Sequence, residues 1–355
     1  MRKLQKSTRE SIFTYAIVIV AFLATQGLML SGNISSALTG QLVPICAYVV
    51  MAVSLNLTVG VLGELSLGHA SFMSVGAFSG VTACISLANV IPSDPIRLVV
   101  GMVIGAICAG AAGFLIGIPV LRLNGDYLAI VTLAFGEIIK NLITCLSVGV
   151  DSRGLHFSFL TSSSMLNLEE GGTVIINGPM GIAGIPKLST FTAGFILVVV
   201  TLFIVMNLVK SRAGRAIMAL RDNRIAAESV GIPVTKYKLM AFVTSAALAG
   251  AAGALYAMNF STIVATKFNF STSILILVYV VLGGLGNIWG TVIAATVLTI
   301  LPEMLRGFND YRMLLYAIVL IIVMLATNNS RLKLIPAWLK KTLGSKTGKE
   351  SISNE

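Results

Sequence analysis

Glu137 and Lys140 stand three residues apart inside an apolar run, so a helix there places both on one face. A carboxylate and an ammonium so placed partly neutralise each other. An ionisable group at membrane depth is by default a candidate for a solute or proton path. A structural pair turned toward neighbouring helices is the plainer alternative. A second group is Gly63-Glu64-Leu65-Ser66-Leu67-Gly68-His69-Ala70, where Glu64, Ser66 and His69 bring polar chemistry into a strongly apolar neighbourhood. They are path candidates, or the capping residues of an ordinary turn. A third is Leu282-Gly283-Gly284-Leu285-Gly286. Glycines as dense as Gly283, Gly284 and Gly286 loosen a helix, and irregular backbone at membrane depth is tolerated only inside protein or beside a cavity. Leu62-Gly63-Glu64-Leu65 resembles Leu282-Gly283-Gly284-Leu285 in position within a broken pair of spans, and such paired interruptions point to a substrate path.

None of these groups is catalytic in pattern. The chain has two histidines, His69 and His156, no Ser-His-Asp pattern, no paired carboxylates and no metal-ligand cluster. Cys46, Cys84, Cys108 and Cys145 lie in apolar stretches without metal-ligand spacing, which argues against zinc and against disulfides. The tail segment Gly344-Ser345-Lys346-Thr347-Gly348-Lys349-Glu350 falls short of a phosphate-binding loop. It is one residue short between its glycines, lacks Ser or Thr after the lysine and follows no strand. The expectation is a protein that is not an enzyme, holds no cofactor and does not bind ATP itself.

The elements that must position these residues follow from composition. Of 355 residues, 56% are hydrophobic and 11% charged, against roughly 25% charged in soluble domains. So little charge cannot cover a water-facing surface, and lipid is the second solvent. Apolar runs long enough to span recur at about 12–30, 38–60, 69–91, 98–120, 127–148, 190–209, 239–258, 273–287, 288–305 and 313–327. The expected fold is an all-α polytopic membrane bundle of about ten helices, with eight or nine also open. The pairs Gly76/Gly80, Gly101/Gly105 and Gly113/Gly117 read as helix-packing contacts.

The net charge of +11 collects at the ends of apolar runs, which fits membrane topology and argues against nucleic acid. Basic residues crowd the N-terminal tail, the segment from Lys210 to Lys238 and the tail after Asn329. Ten spans put all three on the cytoplasmic side, with both termini, and leave the loop 149–189 outside. The expected domains are a cytoplasmic tail at 1–11, a transmembrane domain at 12–328 and a basic cytoplasmic tail at 329–355.

Within 210–238 the pattern predicts two short helices, Ala213–Leu220 and Asn223–Val230, with Asp222 as N-cap of the second, Gly231 beyond its end and Pro233 as a stop. Ala226 and Val230 lie one turn apart, with Ala227 beside them. Such a compact element can seat in a groove on a partner protein. A basic loop on anionic lipid is the alternative, but lipid would favour bulkier side chains than these alanines.

Five segments carry a family resemblance: SLNLTVGVLGELSLGHASF (54–72), PVLRLNGDYLAIVTLAFGEIIK (119–140), GRAIMALRDNRIAAESVGIPVTKYKLMAFVTSAALAGAAGALY (214–256), VLGGLGNIWGTVIAA (281–295) and YRMLLYAIVLIIVML (311–325). Over about 38–327 the chain resembles the branched-chain amino-acid permeases of bacterial ABC importers, and most the LivM type. The resemblance implies a multi-pass protein of the bacterial plasma membrane that moves leucine, isoleucine and valine inward. It implies as partners a second permease, two cytoplasmic ATP-binding subunits and an external solute-binding protein. It also implies that Asp222, Ala226, Ala227, Glu228 and Gly231 belong to the element that docks on the ATPase. Two stretches depart from the family pattern, Asn177-Gly178-Pro179-Met180-Gly181 and Ala326-Thr327-Asn328-Asn329-Ser330-Arg331-Leu332. The alternatives are a permease for urea or short amides, and a stand-alone ion-coupled carrier using Glu64, His69, Glu137 and Lys140 as a relay.

Overall fold

The computed structural model describes residues 36–88, 90–123, 125–151, 154–159, 173–305, 311 and 314–321, with positions 22 and 25–27. It has two compact units, Met1–Thr299 and Ile300–Glu355. In the second, the described residues are the end of one helix, position 311 and a helical stretch at 314–321. The expected tails at 1–11 and 329–355 lie outside the described residues, as does the expected first span except for positions 22 and 25–27.

Helix α1 runs Ser36–Asn56 and continues as a π-helical turn, Leu57–Leu62, that ends at Gly63 with φ +81°. It is apolar on every side and therefore central, with Ala47, Val50, Met51, Ala52 and Leu55 wholly buried. Helices α2 (His69–Ser86), α3 (Asp94–Val120) and α4 (Asp126–Cys145) follow. Helix α5 (Phe191–Lys210) leads to two short helices, α6 (Arg212–Asp222) and α7 (Arg224–Ser229). Helices α8 (Val234–Ala257), α9 (Phe270–Gly283) and α10 (Ile288–Met304) complete the bundle. Among the described residues, six helices are long and apolar enough to cross a membrane: the extended α1, α3, α4, α5, α8 and the stretch Ala265–Gly283. Of the other expected spans, α2 has 18 residues and α10 has 17.

The small residues do more than loosen helices. In the core formed by α2, α3 and α8, a Cβ on Gly76 would stand 2.1 Å from the Gly250 carbonyl oxygen. One on Gly250 would stand 2.4 Å from that of Gly105, and one on Gly253 would stand 2.0 Å from that of Met73. The backbones meet because there is nothing between them, the close packing that small residues give membrane helices. Any larger side chain there would force the three helices apart.

The all-α expectation needs one correction. The segment expected as an external loop folds into strands β1 (Ser147–Asp151), β2 (Gly154–Ser158), β3 (Thr173–Asn177) and β4 (Ile182–Ala183). With β5 (Thr262–Ile263) they form one antiparallel sheet in the order β2-β1-β3-β4-β5. Val148 faces Phe157 on one neighbour and Ile176 on the other. Val148, Ile176, Ile182 and Ile263 are buried, giving the sheet an apolar side. The runs are too short to stand out beside the spans, and β5 comes from a distant part of the chain.

Candidate functional site

Helix α6 starts at Ser211, whose hydroxyl accepts from the Gly214 amide at 3.1 Å. Helix α7 starts at Asn223, whose side-chain oxygen accepts from the Ala226 amide at 3.0 Å. Asp222, the expected cap, is still helical, and its carboxylate accepts from Arg221 Nε and Nη2 at 3.2 and 3.1 Å. Asn223 is the residue with extended backbone (φ −157°, ψ 104°), the conformation an N-cap needs to aim its side chain at the following amides. Gly231 takes φ +83° and ends the element, its amide donating to the Glu228 carbonyl at 2.9 Å.

The element therefore has a defined outside. Ala227 is buried, while Asp222, Ala226, Glu228 and Gly231 are exposed. Glu228 pairs with Arg224 at 3.1 Å. Beside the exposed Arg224 and Glu228 stand two aliphatic side chains, Ile225 at 77% exposed and Val230 at 76%. Ile225 was not among the expected residues. Its signal was an isolated large aliphatic side chain in a basic segment.

The two glycine breaks, similar in sequence, touch in space. Asn56 is fully buried at the start of the π turn. Its side-chain oxygen accepts from the Gly286 amide at 2.9 Å, and its Nδ2 donates to Thr291 Oγ1 at 2.9 Å. A Cβ on Gly60 would stand 1.9 Å from Asn56 Oδ1 and 2.2 Å from the Gly286 nitrogen, so only glycine leaves room for this junction. Gly284 and Gly286 adopt φ +92° and +78° in the tight turn between α9 and α10, and a Cβ on Gly283 would stand 2.4 Å from the Thr291 nitrogen across that hairpin. Arg221 reaches the same place from α6, its Nη1 donating to the Gly60 carbonyl at 2.9 Å. Thus the short helices and both breaks share one hydrogen-bonded cluster.

From Gly63 the chain turns back into the bundle. Leu67 donates its amide to Thr132 Oγ1 at 3.1 Å, and Ala70 donates to Ser273 Oγ at 3.0 Å. Thr132 lies six residues into α4, and Ser273 lies ten residues before the end of α9, depths of ~9 and ~15 Å at 1.5 Å per residue. Helix α2 thus begins well inside its neighbours; of its irregular entry Ser66 and Gly68 are buried, while Gly63 and Leu65 are exposed. His69 is buried and shares a 2.9 Å hydrogen bond with Ser54 Oγ, while Ser245 Oγ donates to the Ser54 carbonyl at 2.6 Å. Ser66 is buried, and its hydroxyl has no partner among the described residues.

Glu64 forms an ion pair with Lys238, whose side chain is 5% exposed against 13% for Glu64. Removing one partner of a buried pair leaves the other charge stranded, at about 3–5 kcal/mol. Lys238→Met is accordingly expected to lower the melting temperature and the yield of folded protein in detergent. Adding Glu64→Gln is expected to recover most of the loss. An equal loss in single and double variants would show that the pair does not act as a pair.

Glu137 and Lys140 form the expected ion pair, with side-chain exposures of 38% and 21%. Glu137 borders a crevice of about 10 Å³ together with Gly68, Gly136 and Ser273, a space for roughly one water. The N-terminal ends of α2 and α9 also meet here. Both are already bonded within the chain: Ala70 by Ser273, and the Thr272 amide by Asn269 Oδ1 at 3.0 Å.

Residues 37–324 match the family described as branched-chain amino acid transport system / permease component. The LivM high-affinity branched-chain amino acid permease protein of Salmonella typhimurium is 31% identical, the match covering 97% of this chain and 80% of that one. The fructose import permease FruG of Bifidobacterium longum is 27% identical over 67% of each. The probable branched-chain amino acid permease LivH of Methanocaldococcus jannaschii is 27% identical over 79% of this chain and 85% of its own. No solved structure matches. A multi-pass helical bundle whose span breaks meet in one cluster, matched over nearly its whole bundle, belongs to the family of branched-chain amino-acid transport permease components.

Proposed function

We propose that this chain is the membrane permease subunit of an ABC importer that carries leucine, isoleucine and valine into the cell across the plasma membrane. Its partners are a second permease, two cytoplasmic ATP-binding subunits and an external solute-binding protein. Both termini and the α6–α7 element lie in the cytoplasm, and the five-stranded sheet faces outside. The observation that carries this reading is the link from α6 to the broken spans. A rigid exposed element bonded through Arg221 to Gly60, and so to the Asn56–Gly286 junction, is suited to pass an ATPase movement into the membrane. Asp222, Ala226, Glu228 and Gly231 form the rim of that docking element, and Ala227 seats it from within. Glu64, Ser66, His69, Glu137, Lys140, Gly283, Gly284 and Gly286 belong to the discontinuous region beside the pathway.

FruG is named for fructose, so solute choice within this fold varies. The LivM match is both closer and longer, and it places branched-chain amino acids first. Reconstitution of the full complex in proteoliposomes is the test. ATP inside with binding protein outside is expected to drive accumulation of labelled leucine, with competition by isoleucine and valine but not by fructose or urea. Accumulation by the subunit alone under an imposed proton gradient would establish the ion-coupled carrier instead. Orientation is checked separately with an impermeant maleimide on intact cells. A cysteine at Phe159, 69% exposed beyond β2, is expected to react from outside, and one at Arg215 on α6 only after lysis. The reverse pattern would invert the topology.

A further inference from the structure

A groove of about 890 Å³ runs between α3, α5 and α8, within the first compact unit. Asp94, Lys187, Thr190 and Thr192 line one end of it, where α3 and α5 begin. From there Val99, Val103 and Ala106 on α3 and Ile196, Val200 and Ile204 on α5 form apolar walls. The stripes from Asp94 to Ala106 and from Thr192 to Ile204 each run ~18 Å at 1.5 Å per residue. That is about the depth of one leaflet, half of the ~30 Å hydrocarbon core. Leu98, Leu197, Leu248 and Ala251 are buried and form the floor, whereas Val99, Val103, Ile196, Val200 and Ile204 are exposed. Beyond the mouth the groove has a single hydroxyl, that of Thr244, and it donates to the Met240 carbonyl of its own helix at 2.7 Å. The groove is therefore a recess as deep as a leaflet that offers polar contacts only at its mouth.

The mouth has a surplus of positive charge. Asp94 is already paired with Arg97, whose Nη2 donates to Asp94 Oδ1 at 2.6 Å. Lys187 is exposed and has no ion pair among the described residues. On the far side of α5, Phe22 stacks on Phe191 and Phe195, with ring centroids 5.3 and 4.0 Å apart. At 100° per residue those two rings lie ~160° round α5 from Val200, so Phe22 packs away from the groove. We infer that the groove is a phospholipid site, with the lipid phosphate at Lys187 and the acyl chains laid between α3 and α5 on the floor of α8. The charge fits, because the mouth has a cation to give and a phospholipid brings an anion to that depth. The length fits, because the apolar walls end where a leaflet ends. A partner helix would have to bring its own acidic side chain to Lys187, whereas a phospholipid joins the anion and the apolar chains in one molecule. The inference goes beyond the importer reading and requires only that these helices span a bilayer.

The test is native mass spectrometry of the full-length protein, purified in mild detergent as it is found in the membrane, with phosphatidylethanolamine or phosphatidylglycerol added back. Either lipid is expected to be retained on the wild type, since the phosphate is common to both. Lys187→Glu is expected to lower the retained lipid about tenfold or more, as loss of a charge-assisted contact does, and Lys187→Arg to keep it. Val200→Trp fills the open wall and is expected to lower retention as well. Ile107→Trp, exposed on α3 but outside the groove, is expected to leave it unchanged. Added phosphatidylglycerol is expected to raise the melting temperature of the wild type but not that of Lys187→Glu, and inorganic phosphate to raise neither, which separates lipid from free anion and from a folding defect. Benzoylphenylalanine at Val103 in nanodiscs is expected to form adducts with phospholipid. Equal retention in wild type and Lys187→Glu would overturn the inference, as would an equal fall in Ile107→Trp. Adducts of Val103 with another protein chain would overturn it too, by showing that a helix fills the groove.

Discussion

Replacing Ile225 and Val230 together by Asp is expected to strip the ATP-binding subunits from the complex and abolish ATP-driven uptake, while the permease itself folds and inserts as before. Both side chains are more than three-quarters exposed, and neither holds the bundle together. Surface substitutions of that kind change stability by about 0.5 kcal/mol or less. Aliphatic groups standing out from a short, capped helix are instead the anchors a partner's groove would take. Loss of one interface anchor weakens binding by about 2 kcal/mol or more, ~30-fold, and two carboxylates inside an apolar groove weaken it further. Co-purification of the ATP-binding subunits and leucine uptake are the measurements. Glu228→Arg is expected to act in the same direction but less strongly, because Glu228 sits at the exposed rim and its pair with Arg224 is open to water. Full assembly and normal uptake in the double Asp variant would remove α7 as the docking element.

Arg221→Ala is expected to do something different: leave the subunits assembled and ATP hydrolysis running, but cut uptake by about ten- to a hundredfold. Arg221 joins the rim residue Asp222 to the broken spans. Its Nη1 holds the Gly60 carbonyl in the π turn, and its side chain lies against Gly63, where a Cβ would stand 2.5 Å from Arg221 Cγ. A charge-assisted hydrogen bond of this kind is worth about 1.5–3 kcal/mol. Without it, α6 can move without displacing the broken spans. The readout is the ratio of ATP hydrolysed to leucine moved, measured in the same proteoliposomes. Arg221→Lys is expected to recover little, since a single ammonium cannot hold the Gly60 carbonyl and the Asp222 carboxylate together as the planar guanidinium does. If hydrolysis, uptake and assembly all fall in parallel, Arg221 only supports the fold. If uptake is unchanged, the proposed link does not transmit.

The two variants divide the proposed route into a contact with the ATPase and a contact with the membrane core. Asn56 carries the route onward. It is buried with both ends of its amide used, one by the Gly286 backbone and one by Thr291. On the proposed route, a movement delivered at Gly60 would reach the turn between α9 and α10 through the buried Asn56 side chain.

Much was decided by the sequence by itself. A chain with this little charge has only lipid as a second solvent, and the lengths of its apolar runs set the α3, α5 and α8 spans within a few residues. Side-chain period alone placed Glu137 and Lys140 on one face. Gly231 ended its helix because a backbone at φ +83° strongly favours glycine. What the tertiary structure decided are the contacts between residues far apart in the chain: Glu64 with Lys238, Asn56 with Gly286 and Thr291, Arg221 with Gly60, and β5 with β4. Asn223 rather than Asp222 caps α7 because the helix before it runs two residues past its expected end at Leu220, through Asp222. Local pattern reports the preferences of a segment for water, lipid or a turn. Which two segments meet depends on how the whole bundle closes its backbone polar groups against lipid, and that is settled only when all the helices are packed.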